Sequence, residues 1–144
     1  MINSIKIGAS AELIAAADEL RQKVFIDEQG IPYDEIFDGL SLQSVHIVAF
    51  DGNTPVATAR VLKDGEGWTI GQVAVDKSRR GEWLGEKVMR AAIDYIVSCN
   101  ESEILIKAQQ QVQGFYEKFG FKQCGEVEVF ESGFVLVPMK YTVL

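Results

Sequence analysis

The run QVAVDKSRRGEWLGEKVMRAAIDYI, residues 72–96, constrains the fold more than any other part of the chain. Up to Val75 its side chains alternate, as a strand requires. From about Glu82 to Cys99, Leu84, Val88, Ala92, Tyr95 and Ile96 recur instead at helical spacing. The connecting turn holds Arg79, Arg80 and Gly81, and Gly85 falls early in the helix. A helix N-terminus carries unsatisfied N–H groups and a partial positive charge. Glycine lets an anion approach that backbone, and arginine adds a fork suited to phosphate. The junction therefore reads either as a phosphate-binding turn or as plain Arg-Gly punctuation between two elements. It is not a Walker A loop, because no Gly-Lys-Ser/Thr follows, and the three-glycine dinucleotide spacing is absent.

The remaining elements alternate without repeats. INSIKIG reads as a first strand. Ser10 is placed to cap a helix, with Glu12 in its first turn and Leu13, Ala17, Leu20 and Val24 at helical spacing. Gly30 and Pro32 break that helix within a stretch where Asp27, Glu28, Asp34, Glu35 and Asp38 cluster. VHIVAF, PVATARVL and WTIGQVAV follow as a three-strand meander, with Asp51-Gly52 as a hairpin signal. EILIKA is a short buried strand and VQGFYEKF a short helix stopped by Gly120. FKQCGEVEVF and FVLVPMKY close the chain as two strands, with Pro138 limiting pairing in the second. The pattern predicts a mixed sheet with helices on its faces, an α/β or α+β layered domain.

Composition narrows the function. The 144 residues suit one domain, and no apolar run approaches the roughly 18 residues of a membrane span. The N-terminus shows no basic segment followed by an apolar stretch, so no signal peptide is expected and a cytoplasmic location is. Cys99 and Cys124 are expected as reduced, packed thiols, and with His46 the only histidine no metal site is expected. A net charge of −7 argues against a nucleic-acid partner and is compatible with a cationic substrate or with solubility alone.

Three stretches together resemble one family. AVDKSRRGEWLGEKVM is similar to motif A of the GNAT acetyl-CoA-dependent N-acetyltransferases, with Arg80, Trp83 and Gly85 on its marked positions. LIKAQQQVQGFYEKFGF is similar to the strand and Phe-Tyr helix that form the other wall of that family's cofactor slot. LRQKVFIDEQGIPYDE with SVHIVAFDGNTPVATARV resembles the ElaA-like branch. The resemblance runs from about Leu20 to Met139.

It implies a mostly antiparallel sheet of about seven strands, helices on both faces, and a splayed parallel pair formed by GQVAV and EILIKA. It implies acetyl-CoA as cosubstrate and no metal. The pantetheine arm would lie along Val73, Ala74 and Val75. The pyrophosphate would sit on the backbone from Arg80 and Gly81 through Glu82, Trp83, Leu84 and Gly85 to Glu86, with Phe115 and Tyr116 opposite. Trp83 replaces the middle glycine and is expected to keep helical dihedrals. Tyr116 matches the family's tyrosine near the sulfur and is the candidate general acid; its alternative is packing beside Phe115 and Phe119. No carboxylate stands in TIGQVAV, Leu136 occupies a position where the branch often has histidine, and Lys107 stands where asparagine is common.

The base is therefore open between Glu28, His46 and water. Glu28, if partly buried, would have a raised pKa, or it is an ordinary loop residue. His46, if it faces the cleft, suits neutral pH, or it is a structural strand histidine. Arg60 would pair with an acid from residues 27–38 or hold a substrate carboxylate. The implied acceptor is an amine of a small molecule or peptide. The competing readings are a catalytically weak acyl-CoA-binding module and a plain partner-binding domain. A homodimer stays open.

Overall fold

The computed structural model describes residues 4–65, 67–131 and 133–143. Strand β1 (Ser4–Gly8) leads into helix α1 (Ala11–Arg21). The Ser10 hydroxyl accepts from Leu13 N–H at 3.2 Å, so the polar cap and the apolar spacing act as the sequence predicts. α1 does not stop at Arg21. It widens into a π-helical segment, Gln22–Glu28, that buries Val24 and Phe25. Such widening is rare and concentrates at functional sites. A short helix α2 (Tyr33–Ile36) follows.

β2 (Val45–Asp51), β3 (Thr54–Asp64) and β4 (Gly67–Val75) form the expected meander, turning at Gly52 with a φ of 62°. α3 (Leu84–Ser98) crosses to β5 (Glu103–Gln109), which lies parallel to β4. After α4 (Gln113–Glu117), β8 (Val135–Thr142) runs antiparallel to β5. The sheet order is β1-β2-β3-β4-β5-β8-β6, with β7 also on β8. Eight strands are described, against about seven expected, because FKQCGEVEVF is not one strand. It supplies two dipeptides, β6 (Lys122–Gln123) and β7 (Glu128–Val129). Between them Cys124 N–H reaches Pro138 O and Gly125 packs on the Pro138 ring, which has no N–H to return.

Alternation sorts the meander onto two layers. Ile47, Ala49, Ala57, Ala59 and Val61 face α3, whose Leu84, Val88, Met89, Ala92, Ile93 and Ile96 complete the main core. Val48 and Phe50 point the other way, against Leu13 and Ala17 of α1. Both cysteines are exposed rather than packed. No described helix is long and apolar enough to cross a membrane.

α3 begins at Leu84, not Glu82. Trp83 is its N-cap, with φ 65° and ψ 21°, and is 67% exposed. The expected helical dihedrals are overturned: this is the left-handed region that favours glycine. Gly81 (φ 90°) and Trp83 thus place two left-handed residues in the turn between β4 and α3. At position 83 a glycine variant should be more stable than an alanine variant by about 1 kcal/mol, the side-chain penalty of that region. Chemical denaturation of the pair checks it. Helical dihedrals would reverse the order.

Candidate active site

Sheet geometry opens the site. Among the described residues β4 and β5 are paired at Thr69 and Leu105 alone, and the two strands separate beyond that point. A register shift against β3 lies between Thr58 and Arg60, where Gln72 of β4 adopts φ 51°. A bulge with a left-handed non-glycine residue re-aims the strand and is tolerated only where packing enforces it. The Gln72 amide donates to Ile36 O at 2.8 Å, which ties the bulge to α2.

Two cavities flank this opening. One, of about 590 Å³, lies between the end of β4, the start of α3 and α4. It is lined by Val73, Ala74, Val75, Arg80, Gly81, Trp83, Leu84, Gly85, Glu86, Phe115 and Tyr116, all named from the sequence as cofactor contacts. Glu82 is the exception. Its carboxylate turns to Arg79, whose hydrogen bonds hold Glu82 below its usual pKa, and Arg79 also reaches Asp51 at 2.8 Å. The floor is open because residue 85 has no side chain. A Cβ there would stand 3.4 Å from Phe115 Cζ and 3.6 Å from Val75 Cγ2.

The second cavity, of about 610 Å³, lies between the π turn, α2 and the β5–β8 end of the sheet. Phe25, Ile31, Ile36, Phe130, Phe134 and Leu136 supply its apolar lining, and Asp34, Glu35, Asp38, Arg60, Gln72 and Lys107 its polar groups. Arg60 donates to both Asp38 oxygens, at 2.9 and 3.0 Å, the acidic-stretch pairing foreseen for it. Lys107 pairs with Glu128 at 3.1 Å. With both cations matched, Asp34 and Glu35 are left on the wall with no ion-pair partner among the described residues.

The two cavities share Gln29, Val73, Gln109, Val112 and Tyr116. They are halves of one slot that passes between β4 and β5. Tyr116 stands at the junction, edge-on to Phe115 at 5.1 Å and Phe121 at 6.4 Å. Burial pushes its phenol up to about 12, so it keeps its proton.

Neither candidate base sits as expected. Glu28 lines neither cavity; Arg80, on the wall of the first, holds it in a two-pronged pair at 2.6 and 2.8 Å. That hydrogen bonding lowers the Glu28 pKa, the opposite of the expected rise. Arg80 also donates to Val75 O at 3.1 Å, so the motif arginine clasps the turn to the π segment. His46 does not face the cleft. It is fully buried on the α1 side of β2, opposite Arg60. Its Nδ1 accepts from Arg21 Nη2 at 2.9 Å and its Nε2 donates to Ser41 O at 2.9 Å. Arg21 is itself 1% exposed and bonded to Asp18. Both imidazole nitrogens are thus occupied in the neutral form, and burial lowers the His46 pKa.

A pH dependence of folding follows. A histidine whose folded pKa lies below its unfolded 6.5 stabilises the fold fully above that value. The contribution is lost as pH falls through 6.5 towards the folded value, by up to about 1.4 kcal/mol per pH unit. Denaturation between pH 7 and 5 should show this slope, and His46→Gln, which can accept and donate but not protonate, should flatten it.

Sequence reasoning missed Gln29, Gln109, Gln111 and Lys118, all lining the first cavity. For Gln109 and Gln111 a signal was present: three consecutive glutamines, residues 109–111, where a buried strand ends.

Comparison with known proteins agrees with this geometry. The acetyltransferase (GNAT) domain family matches residues 8–143. An uncharacterized N-acetyltransferase, YjcF, of Bacillus subtilis is 34% identical over 128 residues, covering 88% of this chain and 91% of that protein. Protein ElaA of Escherichia coli is 34% identical over 126 residues, covering 82% and 80%. Its crystal structure superposes with a TM-score of 0.87, at 28% identity, over 98% of this chain and 99% of that one. An aminoglycoside 6′-N-acetyltransferase solved with coenzyme A shares the fold at a TM-score of 0.77 and 16% identity, covering 99% and 98%.

Proposed function

The chain belongs to the GNAT acetyltransferase family, and on that premise we propose that it moves an acetyl group from acetyl-CoA directly to a primary amine of a small molecule or peptide. One observation carries the reading. The slot joins a compartment walled by a helix N-terminus to an apolar and acidic one, and the two meet at Tyr116.

The residues fit acyl-CoA. The N–H groups at the start of α3 receive the pyrophosphate, since its positive end faces the cavity. The Arg80 fork is already paired with Glu28, so the backbone does most of this work. Lys118 beside the same cavity is likewise paired, with Glu86 at 3.7 Å. Val73, on the unpaired edge of β4, offers backbone groups to the pantetheine amides. When bound, the thioester supplies an activated carbonyl and a thiolate leaving group.

In the acceptor half, Asp34 and Glu35 attract an amine as its ammonium, and Phe25, Phe130, Phe134 and Ile36 hold its carbon body. Water takes one proton from the ammonium to free its lone pair and a second from the nitrogen as the amide forms, because no carboxylate or imidazole stands among the five junction residues. A C–N bond forms and the C–S bond breaks. Tyr116 gives its proton to the departing sulfur and regains one from solvent. The missing base also favours a second reading, a weakly catalytic acyl-CoA-binding module.

Free-thiol release from acetyl-CoA across a panel of amines, beside thermal shift with coenzyme A, tests both. Stabilisation with turnover on some amine supports the transferase. Stabilisation without turnover supports the binding module, and no stabilisation defeats both.

A further inference from the structure

We propose that Gln29 polarises the acyl carbonyl at the reaction point, its amide N–H groups being the terminal donors of a directed chain of three glutamines. The proposal rests on the acyl-transfer reading of the same slot.

Gln111 Nε2 donates to Gln109 Oε1 at 2.6 Å, and Gln109 Nε2 donates to Gln29 Oε1 at 2.9 Å. Both bonds run the same way. Each amide that accepts becomes a stronger donor at its other end. The chain ends on the Gln29 NH2, for which the described residues offer no acceptor. The position is as telling as the direction. Gln29 follows the π segment and Gln109 is the last residue of β5, so their bond joins opposite walls of the slot. Both line the cofactor half and the acceptor half.

The chemistry of the junction agrees. Its polar side chains are two neutral amides and a phenol that stays protonated. Neutral donors serve an oxygen that gains negative charge as an amine adds to a carbonyl, and they cannot take the amine's proton. Gln29 and Tyr116 then divide the work. Gln29 donates hydrogen bonds to the carbonyl oxygen and transfers no proton, whereas Tyr116 protonates the sulfur. Gln109 is a positioning residue, since it touches Gln29 rather than substrate.

The test uses the full chain with carbonyl-labelled acetyl-CoA, read by infrared difference spectroscopy. In the wild type the bound carbonyl band should lie at lower frequency than in free acetyl-CoA. Gln29→Met keeps the length of the side chain without its donors, and should return the band towards the free value. On an active amine it should lower kcat roughly 100-fold, the lower end for removal of one such donor. Melting temperature should stay within error, and acetyl-CoA affinity should fall far less than kcat. Gln109→Met, which cuts the relay but leaves the Gln29 donors, should cost less than Gln29→Met on both readouts. An unshifted wild-type band, or a shifted band unchanged in Gln29→Met, overturns the proposal while leaving acyl transfer standing. Absence of any stabilisation by coenzyme A overturns the acyl-transfer reading and this one with it.

Discussion

Gly85→Glu is expected to remove acyl-CoA binding while leaving the fold intact. The Cβ would enter the gap between Phe115 and Val75, at ordinary contact distances of 3.4 and 3.6 Å. The rest of the side chain must then project into the cofactor half or across it. Its carboxylate would compete for the α3 N–H groups and repel a pyrophosphate. Position 85 lies in the first turn of α3, where an acidic residue favours the helix. Glutamate also has a better helix propensity than glycine, so stability should hold or rise slightly. A variant that folds as well as the wild type and ignores its ligand separates binding from folding. With coenzyme A at 100 times the wild-type Kd, the wild type should gain about 2.7 kcal/mol. A 100-fold weaker variant should gain only about 0.4 kcal/mol at the same concentration. Equal stabilisation of both proteins would remove the start of α3 from the cofactor site.

Tyr116→Phe should lower kcat by at least roughly tenfold, within the range that a positioned acid contributes. The ring keeps its edge-on contacts with Phe115 and Phe121, so neither acetyl-CoA affinity nor melting temperature should move much. The phenol, pushed up to about 12 by burial, remains a proton donor across the neutral and mildly alkaline range. The wild-type rate should therefore show no alkaline fall from loss of this acid below about pH 10. Stability gives a second check with a definite sign. A phenol whose folded pKa exceeds its unfolded 10.0 stabilises the protein fully below pH 10. That contribution is lost as pH rises from 10 towards 12, and Tyr116→Phe should lack this part of the alkaline decline. Equal turnover in wild type and variant, with chemistry rate-limiting, would return Tyr116 to packing alone.

Much of the architecture was legible because it depends on near neighbours. Ser10 and the Leu13, Ala17, Leu20 spacing define α1 through contacts three and four residues apart. The meander follows from alternation and a turn at Gly52, and α3 from its apolar stripe. The turn before α3 was readable because a strand, a glycine and a helix start leave few other geometries. Eleven of the twelve residues named for the cofactor from sequence line one cavity, since they are consecutive or share one helix. The twelfth, Glu82, depended on Arg79, whose side chain chose it together with Asp51.

What only the tertiary structure decided is where side chains from distant segments meet. A period of two puts His46 on one face of β2, but it does not say that Arg21, twenty-five positions away, will close over its Nδ1. Glu28 reads as a loop carboxylate until Arg80, fifty-two positions later, folds onto it and lowers its pKa instead of burial raising it. Gln29 and Gln109 are eighty positions apart, and their bond exists because β4 and β5 part just beyond Thr69. Even the backbone of Trp83 was set from outside. Its own preference is for negative φ, yet it is left-handed where the chain passes from β4 into α3. Near-neighbour energies act along the chain and are written in its order. Ion pairs, burial and strain depend on which strands become adjacent, and the whole sheet must close before those distances exist.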